Sequence, residues 1–116
     1  MKTIILDTNF LIYCTKFRID LFSEIGRICN SQHKLAVLDK ILEELEKVKP
    51  KELKLIKKFI EKLEIIKSKE SKVDKELIRL SAEGYIIATQ DLELKKQLAG
   101  SMIIIRNKRY LELKSK

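Results

Sequence analysis

The first nine residues constrain the fold more than any other stretch of the chain. An apolar run rich in β-branched residues, residues 1–6, is followed at once by Asp7-Thr8-Asn9, and a second apolar stretch begins at Phe10. A short apolar run bounded by polar residues is typical of a buried strand, and Asp, Thr and Asn are typical of a helix start. In open parallel sheets, ligands bind beside the carboxyl ends of the strands. Asp7 is therefore the first candidate site residue.

Further strand and helix patterns follow in alternation. Strand patterns cover residues 35–38, 85–89 and 102–105, while residues 63–66 fit either a helix end or a brief edge strand. Amphipathic helix patterns lie between them. This alternation predicts an α/β sandwich built around a parallel sheet. The 116 residues contain no linker or repeat, which indicates a single domain over residues 1–116 with a basic tail from about residue 106 to residue 116.

Composition favours a polyanionic partner and excludes several kinds of site. The chain has 25 Lys and Arg against 17 Asp and Glu, and this net charge of +8 favours RNA or DNA, although a solvated Lys/Glu-rich surface gives the same balance. Cys14, Cys29 and His33 cannot form a zinc site without carboxylates, so we expect buried free thiols and a surface-loop histidine. Glycine only at positions 26, 84 and 100 excludes a P-loop and a dinucleotide-binding turn. Without a signal-peptide pattern or an apolar stretch of about 18 residues, we expect a cytoplasmic protein with no membrane partner.

Four carboxylates are predicted to meet at one edge of the sheet. Asp91 follows the strand at residues 85–89, just as Asp7 follows the first strand. On a helical wheel Glu44 borders the apolar stripe of its helix, Glu43 lies nearly opposite that stripe, and Asp74 lies on the packing face of a later helix. Each carboxylate alone is more often a helix cap or a surface residue, but four together repel one another unless a cation compensates them. Oxygen ligands without His or Cys suit Mg²⁺ or Mn²⁺.

Four strings of the chain, in this order, resemble the PIN domain family. They are residues 5–12 (ILDTNFLI), 42–46 (LEELE), 73–78 (VDKELI) and 87–95 (IATQDLELK). Within the family, the ending at residues 103–110 looks more like archaeal relatives of the ribosomal-RNA-processing PIN nucleases than like the VapC-type toxins. The resemblance implies a three-layer α/β/α sandwich with a central parallel sheet of four or five strands.

The same resemblance implies a metal-dependent ribonuclease with an acidic pocket. The catalytic and metal-binding carboxylates of the family are matched by position by Asp7, Glu44, Asp74 and Asp91. Asn9 and Thr89 match the polar positions beside them. One or two Mg²⁺ or Mn²⁺ ions would activate a water for in-line attack on the phosphate, and the family implies 5′-phosphate and 3′-hydroxyl ends.

No additional RNA-binding or zinc module is present, so we expect the C-terminal cluster to hold RNA, with a tyrosine ring as a stacking surface. This cluster consists of Arg106, Lys108, Arg109 and Tyr110. Two rivals stay open: a catalytically silent PIN scaffold that binds RNA or a ribosome-assembly partner, and a VapC-type toxin ribonuclease inhibited by an antitoxin peptide. A phosphoacceptor receiver domain fits the acidic spacing poorly. The oligomeric state is also left open, with a homodimer among the options.

Overall fold

The computed structural model describes residues 2–29 and 32–115, and these contain six strands and six helices. The elements in chain order are β1 (Lys2–Leu6), α1 (Thr8–Lys16), α2 (Leu21–Ile28), β2 (His33–Leu38), α3 (Ile41–Val48), α4 (Leu53–Ile60), β3 (Glu64–Ile66), α5 (Val73–Ala82), β4 (Ile86–Ala88), α6 (Leu92–Gln97), β5 (Met102–Arg106) and β6 (Tyr110–Lys114). The longest of these helices, α5, has ten residues. Within the described ranges, no helix could cross a membrane.

All the strands of the described residues join one sheet in the order β3-β2-β1-β4-β5-β6. Strands β1 to β5 are parallel, and β6 is antiparallel to β5. The predicted α/β sandwich is confirmed, with six strands where four or five were expected. Leu6 of β1 is in register with Ala88 of β4, so the carboxyl ends of these two central strands lie side by side. The residues that follow them, Asp7 and Thr89, are therefore neighbours.

Two hydrophobic clusters cover the two faces of the sheet and make three layers. Ile4 and Leu6 belong to the cluster beneath α1 to α4, whereas Ile5 belongs to the cluster beneath α5 and α6. Successive residues of a strand point to opposite faces, so a strand covered on both sides is apolar throughout. The continuous apolar runs of β1 and β4 in the sequence reflect this double burial.

The segment expected to be a basic tail forms strand β6 and closes a hairpin with β5. Asn107 and Lys108 have φ values of 52° and 55°, and the Arg109 N–H donates to the Arg106 carbonyl at 3.0 Å. Two consecutive left-handed residues make a type I′ turn, whose twist suits a hairpin. Leu111 of β6 is completely buried. The C-terminal segment is therefore part of the folded core.

The three residues considered for zinc occupy structural positions. Cys14 is buried and Cys29 is half-buried, and both are free thiols. Burial raises the pKa of the Cys14 thiol to about 12, so this sulfur stays protonated and unreactive at neutral pH. His33 was expected in a surface loop, but it begins β2 and is half-buried.

Candidate active site

Asp7 lies where β1 ends and α1 begins. Its N–H donates to the Ala88 carbonyl at 2.9 Å, which extends the pairing of β1 with β4, and its carbonyl accepts from the Leu11 N–H at 3.1 Å. The Asp7 side chain makes no capping hydrogen bond to α1. Instead, its Oδ2 accepts a hydrogen bond from the Thr89 hydroxyl at 2.8 Å. The carboxylate is thus held across the edge of the sheet.

The surroundings of Asp7 disfavour its charge. Burial raises the pKa of the Asp7 carboxyl from 3.8 to about 6, against the opposing effect of the hydrogen bond from Thr89. The negative charges of Glu44 and Asp74 raise the pKa of Asp7 further. At neutral pH the Asp7 carboxylate is therefore ionised in surroundings that favour its protonated form. A cation beside it would remove this cost.

Glu44 is presented by the first turn of α3 and is half-buried. Its Oε1 accepts a hydrogen bond from the Thr8 hydroxyl at 2.7 Å. Thr8 is buried and directly follows Asp7, so this hydrogen bond ties α3 to the start of α1. Glu43, the preceding residue, is exposed. The placement agrees with the helical wheel, on which Glu44 faces inward and Glu43 outward.

Asp74 is exposed in the first turn of α5, and the prediction that it lies on the packing face was wrong. The buried residues of that helix include Glu76 and Ser81, and the wheel had centred the face on apolar residues alone. Ser81 lies on the same side of the helix as Asp74 and is buried, so the exposure of Asp74 comes from its place in the first turn of α5. Asp74 instead lines an open crevice together with Glu43, Glu44 and three lysines at positions 40, 47 and 72.

Glu76 anchors the loop of residues 67–72 that leads to Asp74. Its carboxylate has no exposed surface and accepts hydrogen bonds from two backbone N–H groups of this loop, each at 3.2 Å. Hydrogen bonds from Arg79, at 2.7 and 3.0 Å, lower the pKa of Glu76 to about 2. On the other side of the loop, Oδ1 of Asp39 accepts from the Ser68 hydroxyl at 2.7 Å. The loop that leads to the crevice is therefore held by hydrogen bonds on two sides.

Thr89 joins the two strand ends. It is completely buried, and its hydroxyl donates to Asp7 and accepts from the Asp91 N–H at 3.1 Å. Asp91 is exposed and is the N-cap of α6, where its Oδ1 accepts from the N–H groups of Glu93 at 3.0 Å and Leu94 at 3.1 Å. In this structure the Asp91 carboxylate caps α6, whereas its backbone N–H is linked to Asp7 through the Thr89 hydroxyl.

Three of the four predicted carboxylates lie within electrostatic reach of one another, because Glu44 and Asp74 both act on the pKa of Asp7. Across residues 2–29 and 32–115, however, no three His, Cys, Asp or Glu side chains converge closely enough to hold a metal ion as they stand. The threonine hydrogen bonds engage one oxygen of Asp7 and one of Glu44. The donor set is all oxygen and carries excess negative charge, and this chemistry fits a hard divalent cation.

The remaining predicted residues are dispersed. Asn9 is exposed on α1, next to the acidic site in sequence. Arg106 pairs with Glu112 at 3.1 Å, whereas the Lys108 ammonium lies 5.6 Å from the centre of the Phe17 ring. Arg109 and Tyr110 are exposed. The side chains of the predicted C-terminal cluster therefore point to different partners: Arg106 pairs with a carboxylate, and Lys108 lies over an aromatic ring at the end of α1.

Two structurally important residues were missed by sequence reasoning. The role of Thr8 could have been predicted, since it lies inside the Asp-Thr-Asn triplet at a strand end, where a hydroxyl can orient a carboxylate. The role of Glu76 could not, because its burial depends on Arg79 and on a loop that folds back onto the helix.

A family model described as "PIN like domain" matches residues 4–109. The chain is 35% identical to "Ribonuclease VapC4" from Methanocaldococcus jannaschii over 127 aligned positions, which cover 97% of each chain. The solved structure described as that of "the PIN domain endonuclease Utp24" superposes with a TM-score of 0.82 at 22% identity, covering 98% of this chain and 92% of the other. At that identity the superposition supports the fold alone.

Proposed function

This chain belongs to the PIN-like domain family, and we propose that it is a metal-dependent ribonuclease that hydrolyses RNA phosphodiester bonds. The family predicted from four strings of the sequence is confirmed by the match over nearly the whole chain. The proposed activity rests on the position and the raised pKa of the Asp7 carboxylate. Its carboxylate stands at the carboxyl end of a central strand, with a pKa raised to about 6 by burial and by the charges of Glu44 and Asp74.

The residues that would hold one or two Mg²⁺ or Mn²⁺ ions are Asp7, Glu44, Asp74 and Asp91. The bound ion would lower the pKa of the attacking water and neutralise the charge that develops on the phosphate. Thr89 and Thr8 hold one oxygen each of Asp7 and Glu44, so the second oxygens are oriented by the protein. Asn9 is exposed, lies two residues after Asp7 in the sequence, and would orient a water or the RNA.

Cationic side chains beside the acidic residues would help to bring RNA to the pocket. Lys40, Lys47 and Lys72 line the crevice that also contains Glu43, Glu44 and Asp74. Lysine ammonium groups attract the phosphates of the strand, while the carboxylates attract the metal. We propose a cytoplasmic protein with RNA as its substrate, and the net charge of +8 supports this substrate class.

Two biological settings would suit this activity. The relative named Ribonuclease VapC4 favours a toxin-like ribonuclease whose partner is an antitoxin peptide. The ending at residues 103–110 favours a role in ribosomal RNA processing, with a ribosome-assembly partner. The neighbouring reading frame separates them, because an antitoxin is expected beside a toxin and not beside a processing factor.

The activity is tested directly by incubating the purified protein with single-stranded or looped RNA. We expect slow cleavage with Mn²⁺ or Mg²⁺ and none after chelation. Asp7→Asn should lower the rate about 100-fold or more, since the loss of a few kcal/mol of metal-assisted charge stabilisation costs that much. Absence of cleavage with both metals, or equal cleavage by Asp7→Asn, would favour the silent scaffold.

The neighbouring glutamates of α3 provide a matched control. Glu44→Gln and Glu43→Gln each remove one negative charge from the same turn. We expect Glu44→Gln to reduce cleavage strongly and Glu43→Gln to leave it nearly unchanged, because Glu44 alone of the two faces Thr8 and Asp7. Equal losses of cleavage in the two variants would mean that the glutamates act only through the electrostatic potential of the surface.

A further inference from the structure

A stripe of side chains on α1 and on the residue that caps its C-terminus leads away from the acidic site. Asn9 and Tyr13 of α1 and the C-cap residue Phe17 are spaced four residues apart, so their side chains follow one another along one face of the helix. Asn9 and Tyr13 are exposed, and Phe17 is half-buried. At the rise of an α-helix, Tyr13 lies roughly 9 Å along the axis from Asp7. The stripe begins beside the acidic pocket and ends under the β5–β6 turn.

The far end of this stripe is an aromatic pair flanked by two cations. The rings of Tyr13 and Phe17 are stacked, with centroids 5.8 Å apart and planes 6° apart. The ammonium groups of Lys16 and Lys108 lie 5.9 Å and 5.6 Å from the centre of the Phe17 ring. Tyr13 leaves 40% of its surface exposed. The result is a partly exposed tyrosine ring stacked on a phenylalanine ring over which two ammonium groups lie.

Lys108 reaches Phe17 from a backbone conformation that lysine rarely adopts. Its φ of 55° puts it in the left-handed region, at the second central position of the type I′ turn. Glycine is strongly preferred there after asparagine, and the residue before Lys108 is Asn107. A lysine at this place costs turn stability but puts an ammonium beside the aromatic pair. Strain of this kind is concentrated at functional sites.

We propose that Tyr13, Phe17, Lys16 and Lys108 form a binding site for an unpaired segment of RNA. A base stacks on the exposed ring of Tyr13, and the two lysines contact the neighbouring phosphates. This inference rests on the proposed ribonuclease function and extends it, since the strand continues along α1 past Asn9 to Asp7. With about 3.4 Å per stacked nucleotide, Tyr13 holds a base two to three nucleotides from the phosphate that is cut.

Single-stranded RNA is the ligand that fits this surface. The faces of its bases are free to stack on an aromatic ring, whereas a duplex hides them. The charges next to the rings are both positive, which suits the phosphates on either side of a stacked base. Binding of this kind tolerates any base sequence and would position an unpaired segment of RNA at the acidic site.

The site is tested by fluorescence anisotropy with a short labelled oligouridine. The Asp7→Asn protein in EDTA serves as the parent, so that neither cleavage nor metal contributes. Tyr13→Ala should weaken binding by about 5- to 100-fold, the range for loss of one base–aromatic stack. Tyr13→Phe should bind as the parent does, because the ring and not the hydroxyl makes the stack. Phe22→Ala is the matched control, because Phe22 is 45% exposed and also belongs to an aromatic pair, with Phe59, on a different helix.

A probe of equal length with abasic riboses separates stacking from charge. Tyr13→Ala should leave its binding unchanged, whereas Lys108→Ala should weaken both probes and reduce the salt slope by about 0.7. Equal oligouridine binding by Tyr13→Ala and its parent overturns the site. The site is equally overturned by a Tyr13→Ala loss that appears with both probes, by a larger loss in Phe22→Ala, or by a parent that binds neither probe.

The proposed ribonuclease function can fail separately. Wild-type protein that cleaves no RNA but binds oligouridine through Tyr13 would keep the site and remove the activity. Wild-type protein that cleaves RNA while Tyr13→Ala binds as tightly as its parent would keep the activity and remove the site. Circular dichroism of each variant checks that helix α1 remains folded.

Discussion

Asp7 carries its charge at a cost to the folded protein. Its pKa is raised from 3.8 to about 6, so the folded state binds the proton more tightly than the unfolded state does. Ionisation of Asp7 therefore lowers the free energy of unfolding. The loss is absent below about pH 4, grows as the pH rises, and is complete above about pH 6. Two pKa units correspond to about 3 kcal/mol, and partial exposure of the carboxyl to water reduces this to roughly 2 kcal/mol.

Replacing Asp7 by asparagine should therefore stabilise the metal-free protein. We expect Asp7→Asn to raise the unfolding temperature in EDTA at pH 8 and to lose most of that advantage at pH 4. The asparagine oxygen can still accept the hydrogen bond from Thr89, so the substitution changes charge more than geometry. Thermal unfolding followed by circular dichroism at several pH values measures the effect.

Asp91→Asn is the control for this experiment, since asparagine caps helices as well as aspartate does. Its unfolding temperature should differ little from that of the native protein throughout the same pH range. An Asp7→Asn protein that is no more stable than the native one at pH 8 would contradict the unfavourable burial of the Asp7 charge.

Sequence patterns located Asp7 and Glu44 because each is defined by its own strand or helix. A residue that follows an apolar run lies at a strand end, and a wheel separates Glu44 from Glu43. The patterns failed for Asp74 because a wheel gives the direction of a side chain but not whether other parts of the chain cover it. Glu76 is buried as an ion pair with Arg79 and as an acceptor for loop N–H groups, and no local pattern reveals such partners.

Helix α1 ends in a motif that fixes the aromatic surface. The Ile19 N–H donates to the Cys14 carbonyl at 2.9 Å, and the Arg18 N–H donates to the Thr15 carbonyl at 3.2 Å. This pair of hydrogen bonds is a Schellman motif, whose left-handed residue is usually glycine. Here that residue is Arg18, with φ of 56°. The motif ends the helix directly after Phe17 and so sets the position of its ring.

Arg18→Gly should be more stable than Arg18→Ala by about 0.5–1 kcal/mol. Both substitutions remove the same charged side chain, so the comparison isolates the backbone. Glycine relieves about 1–2 kcal/mol of left-handed strain, part of which is offset by the larger entropy of the unfolded chain. Urea denaturation of the two variants measures the difference. Equal midpoints, or a more stable alanine variant, would show that the end of α1 stores no strain at this position.

Strand β6 shows why an element can escape sequence analysis. Its backbone at Leu111 is covered by α2, where Glu24 accepts from the Leu111 N–H and Arg27 donates to its carbonyl, each at 2.8 Å. Charged side chains thus satisfy the outer edge of the sheet and protect it from pairing with other chains. The contact joins residues 87 positions apart in the chain. A strand stabilised from that distance resembles a basic tail in the sequence.

The topology of the whole molecule explains why the acidic site lies where it does. From β1 the sheet extends through β2 and β3 in one direction and through β4, β5 and β6 in the other. In open α/β sheets a crevice forms where the strand order reverses, at the carboxyl ends of the two central strands. Asp7 and Thr89 stand at that point. The position of the acidic site therefore follows from the spatial order of the strands in the sheet, which the sequence patterns do not reveal.

Metal binding should reverse the order of stability between the native protein and Asp7→Asn. An ion that binds only the folded state stabilises it by about 2.7 kcal/mol at a hundredfold excess over its Kd. For a chain of this length we expect roughly 10 °C in unfolding temperature. Mn²⁺ should raise the unfolding temperature of the native protein by this amount and that of Glu43→Gln by as much. The unfolding temperatures of Asp7→Asn and Glu44→Gln should rise much less. Asp7→Asn is then the more stable protein in EDTA and the less stable one in Mn²⁺.

Unfolding curves at increasing Mn²⁺, with NaCl at matched ionic strength to account for screening, should therefore cross. General screening of a +8 surface cannot produce such a crossing, because it acts on all four proteins alike. A simple helix-start role for the carboxylates cannot produce it either, since it involves no cation. If the native protein shows no shift with Mn²⁺ beyond that caused by NaCl, these carboxylates do not hold the metal, and the mechanism proposed for this chain fails.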